Sequence, residues 1–228
     1  VARPGRGASA GSAPRAPLNP PGSGSDYAPF VHRAGIPVLN LGFSDEESGG
    51  VYHSIYDSWT WYSRFGDPTG QYGKALAQVM ATAMLRLSEA PVLPFEYGTF
   101  VGAVRGYVAE IEKLAQARGA RLDLSPVKTR LQELDSLARR YEIELGKAVP
   151  KAARAPQSRL AALNELLYGS ERTLLLPDGL PGRTWYRHRI YAPGAYTGYS
   201  AKTLPGIREA LEAGRDAEAQ AEVAPVAK

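Results

Sequence analysis

Cysteine is absent from the 228 residues. Disulfides, thiol nucleophiles, thiolate zinc sites and iron–sulfur clusters are thereby excluded, while the redox compartment stays open. Histidine is scarce: His32, His53 and His188 are the whole supply. No apolar run approaches the ~18 residues of a membrane span, and the first residues lack the apolar stretch of a secretory leader. The chain opens on Val1 and not on Met, so it is expected to be a processed form or a piece of something longer. A concentrated basic face is also missing. The sequence pI is near 9.2, yet Arg3, Arg6 and Arg15 lie in the acid-free stretch 1–22. The other 206 residues carry 24 basic and 23 acidic side chains with their signs interspersed. Capture of a phosphate backbone needs clustered cations, so nucleic acid is not an expected partner.

What is present is enough apolar material for a real core: 44% hydrophobic and 22% charged residues, ordinary for a globular protein. Residues 1–22 are Ala, Gly, Pro, Arg and Ser with almost nothing to bury, and read as a flexible tail. A short helix is expected over 27–34, capped by Ser25 or Asp26 and ended by Gly35. The apolar run 36–43 that follows suits a strand buried on both faces. One strand makes no sheet, so its partners are expected outside these residues.

Beyond Asp67 the period changes to that of helices. Tyr72, Leu76, Val79, Met80, Ala83, Met84 and Leu87 share one face of a helix over about 70–89. A second, over 97–118, carries Val101, Val104, Val108, Ile111 and Leu114 or Ala115. Ser125-Pro126 opens a third in Ncap–N1 order, with Leu131, Leu134, Leu137 (or Ala138), Tyr141 and Leu145 as its stripe. A fourth spans 157–168. Four amphipathic helices with short connections indicate a helical bundle. An irregular stretch, 176–204, and a last helix near 207–213 complete the chain before a polar Ala/Glu tail.

Among the histidines, His32 and His188 read as hydrogen-bonded structural residues. His53 stands after a candidate strand and a Gly-containing loop, where α/β sheets present functional groups. Asp57, four residues on, could cap the next helix or orient a neighbour, and Asp26 could cap a helix or orient a ligand. The acidic run Asp45, Glu46 and Glu47 reads as an exposed loop, since no second His accompanies it at ligand spacing. Tyr52, Tyr56, Trp59, Trp61 and Tyr62 read as packing rather than as a stacking surface for substrate.

Six blocks carry a resemblance: Ser-Gly-Ser-Asp-Tyr-Ala-Pro-Phe at 23–30, Gly-Ile-Pro at 35–37, Tyr-His-Ser-Ile-Tyr-Asp at 52–57, Val-Leu-Pro-Phe at 92–95, Tyr-Arg-His-Arg-Ile-Tyr-Ala-Pro at 186–193 and Pro-Gly-Ile at 205–207. In this order they resemble the C-terminal third of the glutamate carboxypeptidase II and transferrin receptor family, zinc peptidases or relics of them. The resemblance implies a mostly α fold: the C-terminal part of an α/β zinc-peptidase domain over 23–66, then a helical transferrin receptor-like dimerisation domain, a four-helix bundle, over 67–213. The tails would be 1–22 and 214–228.

The same resemblance implies that His53 is one ligand of a two-zinc site. Tyr52 would reach toward a peptide substrate, Gly24 and Ser25 would line the cleft, and Tyr199 would close the specificity pocket. In that family the two ions share a hydroxide and a Glu acts as general base. The base and the remaining ligands would belong to an upstream peptidase segment, so the chain alone is expected to be inactive. The family has a Lys before the pocket Tyr, where Gly198 stands here, and Arg at the positions of Asn40 and Gly42. Without those cations a buried substrate carboxylate stays unpaired, so an amino- or dipeptidase specificity is expected over one for glutamate. A homodimer is implied, as is a periplasmic or secreted parent by family analogy. The rival expectation is a non-catalytic dimerisation module with vestigial peptidase residues.

Overall fold

The structure, a computed structural model, describes residues 19–43, 51–152 and 155–228. Most of the expected tail, 1–18, and the acidic run Asp45, Glu46 and Glu47 lie outside the described residues. The chain divides into two compact units. Among the described residues, one comprises 39–43 and 51–90, and the other combines 19–38 with the residues from 91 onward.

In the first unit, a short helix α1 (Trp59–Trp61) runs into a π-helical turn, Tyr62–Gly66. Ser58 caps it, its hydroxyl accepting the Trp61 amide at 3.2 Å, so the expected cap Asp57 is displaced by one residue. Asp67 closes the turn. Its carboxylate accepts the Gly73 amide at 2.9 Å and the Tyr62 hydroxyl at 3.3 Å, which locks the entry to α2 (Gln71–Glu89). The apolar stripe of α2 is present, but no residue of the helix is buried. The aromatic run before it is also open, with Tyr52, Tyr56, Trp59, Tyr62 and Phe65 exposed.

The second unit holds the core. Helix α3 (Tyr97–Arg118) packs along α4 (Ser125–Ala152), and Gly119 turns the chain between them at φ 68°. A C-terminal set joins one end: α6 (Pro205–Glu212), α7 (Asp216–Ala221) and α8 (Val223–Ala227). Val101, Val104, Val108, Ile111, Val127, Leu131, Ile207, Leu211, Ala219 and Val223 form one buried cluster. A second cluster, around Val92, Ala152 and Leu167, seats α5 (Gln157–Gly169) with Tyr97, Tyr141 and Leu145. The molecule is mostly helical, as expected, with β1 (Tyr191–Pro193) and β2 (Ala201–Thr203) paired antiparallel as its only named strands among the described residues.

Three details differ from the sequence reading. Residues 36–43 form no strand, because a run buried on both faces needs neighbouring strands and the described residues supply none. The bundle is built from α3 and α4 with α5 at one end and α6 to α8 at the other, while α2 belongs to the first unit. The stretch 214–228 is no tail: Ala219 and Val223 are buried against α6 and α4, giving an Ala-rich segment of high helix propensity an apolar anchor.

Candidate functional site

Residues 19–38 belong to the second unit and place Gly24 and Ser25 there. Pro29 begins the π-helical turn Phe30–Ala34 with no side-chain cap. Asp26 therefore caps nothing, and neither does Ser25, whose carbonyl instead accepts the Ala28 amide at 3.2 Å. Gly35, at φ 62°, ends the turn so close to Arg172 that a Cβ would come within 2.8 Å of its Cα. Val31 and His32 are buried, and the His32 carbonyl accepts the Arg187 amide at 2.8 Å.

Tyr199 lies on the loop between β1 and β2. That loop closes on itself through Gly194 N–H donating to the Ser200 carbonyl at 3.1 Å, and Thr197 Oγ1 donating to the same oxygen at 2.9 Å. Its base is pinned by Arg183, whose Nη2 alone donates to both carboxylate oxygens of Glu209, at 2.9 and 2.8 Å. Glu209 also accepts the Ala195 amide at 2.9 Å. Gly198 sits at φ 61°, the left-handed region that glycine enters without cost.

The structure brings two of the expected wall residues together. The Ser23 amide donates to the Tyr199 carbonyl at 3.0 Å, and the Ser23 hydroxyl reaches the Gly198 carbonyl at 3.4 Å. A Cβ on Gly24 would stand 3.6 Å from the Tyr199 Cβ, so the tyrosine lies directly on the Gly24 backbone. Gly24 and Tyr199 are both exposed, Tyr199 at 57%.

The same unit holds a polar cluster around His188, a residue that the sequence reading took as structural. His188 is fully buried, and its Nδ1 accepts the amides of Ile190 and Tyr191 at 3.2 and 3.4 Å. Nε2 must then carry the proton, which it donates to Glu171 Oε1 at 3.0 Å. The Tyr191 hydroxyl donates to that same oxygen at 2.5 Å. Burial drives the His188 pKa down against the pull of Glu171. Burial pushes Glu171 up, but the hydrogen bonds from His188 and Tyr191 outweigh it and keep the carboxylate below its ordinary range. Glu171 carries no motif, and only the fold shows that it faces His188.

Tyr52 and His53 belong to the first unit. Their rings stack with centroids 3.8 Å apart, and both are exposed. His53 has φ 59°, a left-handed conformation that costs a non-glycine residue roughly 1–2 kcal/mol. Whether these residues suit zinc is a matter of ligand count. Among the described residues no group of three or more His, Asp or Glu side chains is placed to hold a metal. His53 alone does not fit the ion. Among the described residues, no helix is long and apolar enough to cross a membrane.

Comparison with known proteins then defines the class. Residues 122–228 match the transferrin receptor-like dimerisation domain, the segment that contains α4 to α8 and the Tyr199 loop. This is a helical dimerisation module of the metallopeptidase lineage. A protein of Arabidopsis thaliana named as a probable glutamate carboxypeptidase is 34% identical over 191 residues, covering 84% of this chain and 27% of the relative. An aminopeptidase of Rattus norvegicus is 28% identical over 217 residues, 89% of this chain and 28% of its own length. A Schizosaccharomyces pombe protein named as an inactive zinc metalloprotease is 29% identical over 216 residues, 89% and 27% respectively. The chain belongs to the transferrin receptor-like zinc peptidase family and spans about a quarter of the length of these relatives.

Proposed function

We propose that the chain is the C-terminal segment of a two-zinc exopeptidase and acts in a homodimer. His53 would be one metal ligand, Gly24, Ser25, Tyr52 and Tyr199 would belong to the substrate pocket, and the helices of 67–213 would supply the dimer interface. The observation that carries this reading is the seating of Tyr199 on Gly24: two residues far apart in sequence, both expected in one wall, meet on one surface. The left-handed backbone at His53 adds support, because strain of that kind gathers at functional sites. The names of the relatives, carboxypeptidase and aminopeptidase, support a reading in which the substrates are peptides. Gly198 and Asn40 offer no cation to a substrate carboxylate, which favours an amino- or dipeptidase specificity.

Because one imidazole cannot fix the ion, the chain by itself is expected to be inactive. The test supplies zinc to this chain alone and to this chain mixed with the upstream segment of the same protein, using unblocked dipeptides and aminoacyl substrates. Hydrolysis by the mixture only, lost on His53→Ala, is the expected result. Hydrolysis by the chain alone, or none by a folded mixture, overturns the reading. The second reading, a non-catalytic dimerisation module, is favoured by the family match falling on 122–228 and by the relative named as inactive.

A further inference from the structure

We infer that His32 is a positioning residue, whose Nε2–H holds the Gly22 carbonyl and thereby seats Ser23 and Gly24 against Tyr199. The imidazole has no solvent exposure, and Nε2 lies 2.6 Å from the Gly22 oxygen. A carbonyl only accepts, so Nε2 carries the proton. Nδ1 lies toward the Tyr191 main chain without closing a hydrogen bond of normal geometry, so Nε2 is the ring's one well-formed polar contact. Losing it would leave a buried donor and a buried acceptor unsatisfied together.

The ring itself is held from two further directions. The His32 carbonyl takes the Arg187 amide, and the rings of Tyr186 and Tyr191 meet the imidazole edge-on at 6.0 and 6.3 Å. On the other side of the contact, Gly22 is buried so tightly that a Cβ would come within 1.8 Å of the Tyr199 carbonyl oxygen. His32 and Gly22 therefore work as latch and keeper. The imidazole draws the Gly22 carbonyl inward, the missing side chain admits the Tyr199 carbonyl, and the Ser23 amide closes on that oxygen.

The consequence for substrate rests on the reading of Gly24, Ser25 and Tyr199 as pocket wall. The latch itself does not. Amide hydrogen exchange on the full chain tests it with His32→Leu, which removes the donor, His32→Gln, which offers an N–H at similar reach, and Gly22→Ala, which leaves His32 untouched. The Ser23 amide is expected to exchange at least about tenfold faster in the Leu and Ala variants and to return near the parent rate in the Gln variant. Core amides of α3 and α4 should not change. Parent-like exchange in His32→Leu, or a Gln variant no better than Leu, overturns the latch, and Gly22→Ala keeps the test alive if the Leu variant does not fold. In the chain complemented by its upstream segment, His32→Leu should raise KM for peptide with kcat retained, and His32→Gln should restore KM. A loosened Ser23 amide with unchanged KM leaves the latch standing and overturns the pocket-wall reading.

Discussion

His188 shows how much a single buried side chain commits. Its Nδ1 already accepts two main-chain amides, so a second proton would have to displace them, and burial further disfavours the charge. His32 is lowered as well, first by burial and then by its neighbours His188 and Arg183, against the raising pull of the Gly22 carbonyl. Both groups bind a proton more readily in the unfolded chain, whose histidines titrate near pH 6.5. Their contribution is therefore fully present above about pH 6.5 and is lost as the pH falls below it. The slope is about 1.4 kcal/mol per pH unit for each proton taken up on unfolding. Urea titrations between pH 7.5 and 5 should show this decline, and His188→Gln should flatten part of it. Asp67, Asp123 and Asp135, whose carboxyls are lowered chiefly by hydrogen bonds, act in a separate window below about pH 4.

At the scale of elements, the long helices were written into their apolar periods. Val101, Val104, Val108 and Ile111 were expected on one face of α3 and are buried there. Ile111 is fully enclosed, so Ile111→Ala should cost about 2–5 kcal/mol in chemical denaturation. Where the stripe offered two choices, packing made the selection. Ala115 and Ala138 are buried while Leu137 faces solvent, because a close helix–helix approach favours the smaller residue. The connection into α3 had no such signal. Asn164 of α5 accepts the Leu93 amide at 2.8 Å and donates to the Pro91 carbonyl at 3.1 Å, clasping an extended segment that has no ladder of its own. Asn164→Leu leaves both groups without that partner and should cost about 1–3 kcal/mol, read as a drop in Tm without change in helix content.

Taken whole, the chain keeps its buried core in one unit and leaves the other largely open. The segment 19–38 lies with 91–228 although the stretch 39–90 separates them in sequence. Val31 is 1% exposed, and its neighbours hydrogen-bond to residues near 187 and 199. Limited proteolysis should cut between 39 and 90 first and leave the 19–38 piece bound to the 91–228 piece through gel filtration. Separation of the two pieces without denaturant would show that these contacts do not carry the segment. The exposed stripe of α2, with Tyr72, Val79, Met80 and Met84, and the open Trp59 and Phe65 form apolar surface of the kind that marks an interaction site. On the proposal above, the isolated chain should bind an environment-sensitive hydrophobic dye. Addition of the upstream segment should then reduce the signal severalfold.

The sequence by itself determined the helices, the residues that line them and the family, since a period of 3.6 and short ordered blocks are local properties that need no partner. It also marked Gly24 and Tyr199, by resemblance, without any sign that they touch. Tertiary structure alone decided which helices share a core, that 36–43 forms no strand among the described residues, that 214–228 folds back, that Gly22, His32 and His188 are buried and that Glu171 faces His188. Those outcomes depend on what lies opposite each residue in space. Burial and hydrogen bonding are set by neighbours brought from 10 to 175 positions away, and no local pattern encodes them.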